Sequence, residues 1–184
     1  MDSTWSREIG AAVDVAEPIA AARAGRIRVL LNPHAGAKAG IPTNTAAADE
    51  VRAVMARHGL GDELVVTASE DEAVAAARDA VSQGYAAVVA AGGDGTVGAV
   101  AGELLEQETA LGILPLGSVM NIARMLGIPR DLDAAAAIVA AGRTRTIDVG
   151  EAKGRIFFEG GSVGLNAAIF REAIDWLNKR VVSG

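Results

Sequence analysis

Short apolar runs alternate with longer stretches of helical periodicity through the middle of the chain. The runs at 26–31, 63–67, 85–91 and 111–114 have strand length and are built mainly from Val, Leu, Ile and Ala. Continuous rather than alternating apolar runs of this length predict strands buried on both faces, as in a parallel sheet. Between them the apolar positions recur at helical spacing. A helix is predicted from a cap at Asn44 or Thr45 to His58. Ser69 with Glu72 three residues on is a capping-box pattern, opening a helix to Gln83. Further helices are predicted over 96–106, 119–126 and 131–141, the last two stopped by Gly127 and Gly142. Strand–helix alternation over 26–142 predicts an α/β fold, an open parallel sheet with helices on both faces.

The pattern changes after residue 142. Strands are predicted at 144–149 and 155–158, with a turn near Lys153-Gly154, and then an amphipathic helix over 167–180 with Phe170, Ala173, Ile174 and Leu177 on one face. The expected division is a leader at 1–25, weakly helical and interrupted by Pro18, an α/β domain at 26–142, and the start of a β-rich second domain at 143–184. Two strands and a helix are too few to close a sheet of their own. Their uncovered faces predict self-association over 143–180, with a homo-dimer as its simplest product.

Composition narrows the chemistry. Hydrophobic residues make up 51% of the chain and aromatics 3%, so the core is aliphatic and alanine-rich, as suits helices packed closely on a sheet. The net charge of −6, from 23 acidic and 17 basic residues, argues against a nucleic-acid partner. With no cysteine, disulfides and thiolate metal sites are excluded. The first ten residues carry Asp2 and Glu8 and lack the apolar segment of a signal peptide. No transmembrane segment is expected, so the location expected is cytoplasmic, peripheral to a membrane at most.

The strongest chemical signal is Gly92-Gly93-Asp94-Gly95-Thr96, between a strand pattern and a helix pattern. Glycines at such a junction let a ligand approach backbone N–H groups, and a helix start favours an anion. Asp94 has two readings. A carboxylate among phosphates points to a metal ion or to a hydroxyl that must lose its proton. Alternatively, it braces its own loop as a capping side chain.

Other loops follow strands in the order a nucleotide site on an open sheet requires. They are Asn32-Pro33-His34-Ala35-Gly36, then Thr67, then the glycine loop, then Leu114-Pro115-Leu116-Gly117-Ser118, with Ala123 to Pro129 and Ile147-Asp148-Val149-Gly150 beyond. As an ordered set these resemble the catalytic domain of the diacylglycerol kinase family, the bacterial lipid kinases related to sphingosine and ceramide kinases. The resemblance covers about residues 26–170. It implies a Rossmann-like sheet of the phosphofructokinase and NAD kinase kind, and transfer of the γ-phosphoryl of ATP, with Mg2+, to a lipid hydroxyl at a membrane surface. It implies nucleotide contacts from Asn32, Pro33, His34, Ala35, Gly36, Thr67, Gly92, Gly93, Asp94, Gly95, Thr96, Val97, Gly98 and Ser118, with Asp94 catalytic.

The chain departs from the family pattern at Gly98-Ala99, where Asn-Glu is usual, and at Met120-Asn121, where an Asn-Asp pair is usual. Family members also continue into a β-rich second domain that supplies metal-binding carboxylates and the catalytic base. A chain ending at Gly184 is therefore expected to be a fragment or truncated product, and catalytically silent alone. NAD kinase shares the Gly-Gly-Asp-Gly-Thr loop and is the nearest rival. A non-catalytic nucleotide-binding module is the rival of another class.

Overall fold

The computed structural model describes residues 25–38, 41–42, 46–152 and 155–158. The order of elements is β1 (Ile27–Leu31), β2 (Ala37–Lys38), β3 (Ile41–Pro42), α1 (Ala48–His58), β4 (Leu64–Val66), α2 (Glu70–Ser82), β5 (Ala87–Gly92), α3 (Asp94–Glu103), β6 (Ala110–Pro115), α4 (Asn121–Met125), α5 (Leu132–Ala141), β7 (Gly150–Ala152) and β8 (Arg155–Phe157). Four strands form one parallel sheet in the order β4-β1-β5-β6. The fold class expected from the apolar pattern is the fold observed.

Alternation along the strands divides the core between two faces. Val29, Leu31, Val89, Ala91 and Leu114 pack under α1 and α5. Leu30, Val88, Ala90 and Ile113 pack under α2, α3 and α4. Helix α2 meets the sheet through Ala73, Ala77 and Ala80, all buried at helical spacing. Small side chains there let the helix lie close to the strands, which is the structural use of the alanine-rich composition.

The helix ends follow the local chemistry. Ser69 accepts the N–H of Glu72 at 3.2 Å, while the Glu72 carboxylate accepts the N–H of Ala68 at 2.7 Å. Asp131 caps α5 by accepting the N–H of Ala134 at 2.8 Å, and Gly142 closes that helix in the left-handed region at φ 63°. The predicted cap of α1 is not the observed one. Asn44 and Thr45 lie outside the described residues, and the helix starts at Ala48 behind Ala47, without a side-chain cap.

At the amino-terminal ends of the strands lies a polar cluster that the hydrophobic pattern concealed. Arg28 is buried in β1 and donates to Glu63 and Asp79, each at 2.6 Å, and to the Tyr85 hydroxyl at 3.1 Å. Tyr85 donates to the other Glu63 oxygen, and the Arg26 and Arg28 guanidinium groups lie 4.1 and 4.5 Å from its ring centroid. A buried guanidinium is costly unless every donor is met. Burial works to lower the Arg28 pKa, but the hydrogen bonds to Asp79, Glu63 and Tyr85 outweigh it and raise it further.

The strand predicted over 144–149 does not form there. These residues are irregular, and the strand begins at Gly150. β-branched residues alone do not make a strand without a partner. Pairing runs from Gly150 with Phe157 to Ala152 with Arg155, so β7 and β8 flank residues 153–154 as expected. A Cβ on Gly150 would lie 2.2 Å from the Phe157 ring, so a larger residue there requires that ring to move. Phe158, next along, packs against the core under α2–α4. The leader at 1–24 and the predicted helix at 167–180 lie outside the described residues.

Candidate functional site

From β1 the chain leaves for α1 on one face of the sheet; from the adjacent β5 it leaves for α3 on the other. That divergence opens a crevice at the carboxyl ends of β1 and β5, where ligands bind in open α/β sheets. A cavity of about 220 Å3 occupies it. Asn32 and Ala35 line it from the loop after β1, Thr67 from the end of β4, and Ser69, Glu70 and Ala73 from the start of α2. Gly93, Gly95 and Thr96 complete the wall at the start of α3.

Side-chain hydrogen bonds fix this wall. The Asn32 amide donates to the Thr96 hydroxyl at 3.0 Å, tying the two loops together, and its oxygen accepts the N–H of His34 at 3.0 Å. The Thr67 hydroxyl donates to the carbonyl of Leu31 at 3.2 Å, which leaves its oxygen free to accept. Gly92 is glycine for a packing reason: a Cβ there would lie 2.6 Å from the Thr96 side chain. Gly93 has φ −87°, so it is not held in the left-handed region. A Cβ there would meet the Gly117 Cα at 3.6 Å, an ordinary contact. Gly36, by contrast, has φ 78° and needs glycine to turn the loop.

Asp94 is the first residue of α3, two positions before the helix start expected at Thr96. Its carboxylate reaches across to α4, accepting the N–H of Asn121 and of Ile122, both at 3.0 Å. It therefore caps a neighbouring helix rather than its own loop. A carboxylate at a helix start is stabilised by the exposed N–H groups and the helix dipole. The turn before α4 is held from the other side as well. The Gly117 N–H donates to the Met120 sulfur at 3.0 Å, with Met120 in the left-handed region at φ 54°.

The predicted site residues divide accordingly. Asn32, Ala35, Thr67, Gly93, Gly95 and Thr96 meet around the cavity. Pro33 and His34 are exposed on the loop beside it. Val97 does not face it: its side chain is fully buried and its N–H donates to the Gly93 carbonyl at 3.0 Å. Gly92 packs against Thr96 and Gly98 lies within α3, neither lining the cavity, and Ser118 belongs to the 117–119 turn. Reading the sequence missed Ser69 and Glu70 as lining residues. The signal was available, since the residues after a strand end in this fold face the same crevice as Thr67.

Fold and crevice together define an open-sheet α/β protein with a glycine-rich loop and a helix start at its switch point. Residues 26–152 match the family described as the diacylglycerol kinase catalytic domain, and the chain belongs to that family. It is 39% identical over 142 residues to a probable YegS-like lipid kinase of Pseudomonas aeruginosa, an overlap of 74% of this chain and 46% of that protein. It is also 39% identical over 94 residues to a diacylglycerol kinase of Bacillus subtilis, covering 50% of this chain and 31% of the relative. A crystal structure described as a diacylglycerol kinase from Bacillus anthracis superposes with a TM-score of 0.60 at 22% identity, over 72% of this chain and 45% of that one. This chain thus spans less than half the length of these relatives. No helix among the described residues is long and apolar enough to cross a membrane.

Proposed function

We propose that this chain holds ATP for phosphoryl transfer to a lipid hydroxyl such as that of diacylglycerol. One observation carries the reading. The cavity is walled by the glycine loop at the start of α3, through Gly93, Gly95 and Thr96, and the acidic side chain of that loop is engaged by the backbone of α4. Such a wall suits phosphates. Thr67, Ser69 and Thr96 add hydroxyls, and Asn32 keeps the two loops in register.

Among the described residues no group of three or more His, Cys, Asp or Glu can hold a metal ion. In this reading Mg2+ arrives on the phosphates of ATP, the usual manner for a cation that keeps most of its water. It would neutralise phosphate charge there. Asp94 holds α4 against the glycine loop, each carboxylate oxygen accepting one N–H, and the lone pairs left over would organise the metal or the incoming hydroxyl. His34, Pro33 and Ser118 belong to the outer margin of the same site. Residues 143–184 are read as the entry to a second, β-rich domain, with 1–25 a leader. A cytoplasmic location peripheral to the membrane, and self-association through 143–180, belong to the same proposal.

The test is a titration of the protein with Mg·ATP by calorimetry, followed by labelled phosphoryl transfer to diacylglycerol in mixed micelles, with NAD as a parallel acceptor. Binding and transfer to lipid are expected in a context that includes the second domain. Label in NAD would move the protein to the NAD kinases. Binding without transfer in that context would leave a nucleotide-binding module, and absence of binding would refute the site.

A further inference from the structure

Arg130 follows Pro129 and precedes the cap of α5, away from the cavity wall. Its guanidinium donates to three consecutive carbonyls of the turn after β6. Nη2 reaches Gly117 at 2.9 Å; Nη1 reaches Ser118 at 2.9 Å and Val119 at 3.4 Å. One Nη holds Gly117 and the other holds Ser118 and Val119, a spacing fixed by the planar guanidinium that the single nitrogen of a lysine ammonium does not reproduce.

The gathered turn touches the site through bare backbone. A Cβ on Gly117 would lie 2.8 Å from the Cα of Gly93, which lines the cavity. With no side chain between the two glycines, the backbone of Gly117 sits directly against that of Gly93. The far end of the turn is fixed by Asp94, through the N–H groups of Asn121 and Ile122. Arg130 and Asp94 therefore hold the turn at its two ends.

We propose that Arg130 is a positioning residue: it sets the height of the 117–119 turn and, through Gly117 against Gly93, the shape of the phosphate-facing loop. The role rests on the nucleotide reading given above. Arg130 touches neither phosphate nor metal in this proposal, and acts through backbone alone.

The test uses the whole chain in three forms, wild type, Arg130→Lys and Arg130→Ala. Hydrogen–deuterium exchange is read first, without ligand. In both variants the amides of 93–97 and 117–122 should exchange about tenfold faster, with the remaining sheet unchanged, as for a local opening rather than a global one. Mg·ATP affinity is read second. Both variants should bind about tenfold more weakly, as when only about a tenth of the molecules hold the loop in its binding shape. Millimolar guanidinium should restore affinity to Arg130→Ala. Unchanged exchange in those segments overturns the proposal, as does unchanged Mg·ATP affinity or a lysine variant that behaves as wild type. A wild type that does not bind Mg·ATP overturns the nucleotide reading and this role with it, and the exchange data then report a structural clamp alone.

Discussion

Replacing Gly92 by alanine should damage both stability and the site, and the size of the effect follows from packing. The added Cβ would lie 2.6 Å from the Thr96 Cβ and Oγ1 and 2.8 Å from its Cγ2. Ordinary contact begins near 3.4 Å, so α3 must retreat by about 0.8 Å, the difference between 3.4 and 2.6. Gly92 is the last residue of a fully buried strand, so the strand cannot yield instead. Overpacking of this kind costs about 1–3 kcal/mol. The displacement also separates Thr96 from Asn32, removing a hydrogen bond worth about 1 kcal/mol. The total of about 2–4 kcal/mol corresponds to a fall in Tm of roughly 5–15 °C for a chain of this size. Thermal melts followed by circular dichroism measure it. The double variant Gly92→Ala with Thr96→Gly removes all three clashing atoms, so it should be more stable than the two single changes predict by at least about 1 kcal/mol. Gly98→Ala is the control, since no described atom lies within 4 Å of a Cβ there, and a helical alanine in place of glycine should raise stability by up to about 1 kcal/mol. A Gly92→Ala protein melting within about 2 °C of wild type, or a double variant with purely additive effects, would refute the packing argument.

Asp94→Asn replaces one acceptor oxygen with an amide that meets an N–H of α4. It should cost about 1–2 kcal/mol in urea unfolding. It should also lower lipid phosphorylation at least about 10²-fold where the second domain is present, and a loss under about tenfold would remove the residue from catalysis. Ser69→Ala removes the cap of α2 and a hydroxyl of the cavity. Stability should fall by about 1 kcal/mol, and Mg·ATP affinity should fall with it; unchanged affinity by calorimetry would put Ser69 outside the nucleotide's reach. The Tyr85 hydroxyl, with Arg28 beside it, holds Glu63 below its usual value, and the Arg28 guanidinium holds Asp79 below its own. Depressed carboxyl groups stabilise the fold above their ordinary pKa near 4, and that contribution is lost as pH falls through the depressed values. The urea midpoint of wild type should therefore drop below about pH 4. Arg28→Met should be less stable at neutral pH and show a flatter acid limb, and an equally steep limb would count against the Arg28 cluster as its source.

The sheet and most helices were legible in the sequence because they depend on local periodicity. Apolar runs of strand length, Ser69 with Glu72, and Gly142 after an alanine-rich helix each specify an element by chemistry within a few residues. The loops that carry the family resemblance were legible for the same reason. They are contiguous, and their order along the chain mirrors the order of strand ends. Tertiary structure decided whatever depends on distant partners. Arg28 reads as a polar interruption in a strand until Glu63, Asp79 and Tyr85 are brought around it, at separations of 35, 51 and 57 residues. Thr144 to Val149 has strand-forming residues, but a strand exists only where a neighbour accepts its hydrogen bonds, and pairing begins at Gly150. Asp94 marks a loop in the sequence, whereas its carboxylate serves the start of a helix 27 residues on. Val97 is adjacent to the glycine loop in the chain, but helical rotation turns it into the core. Spacing along the chain can nominate residues for a site. Which of them face the crevice depends on how two strands diverge to opposite faces of the sheet, a long-range property that no local stretch of sequence contains.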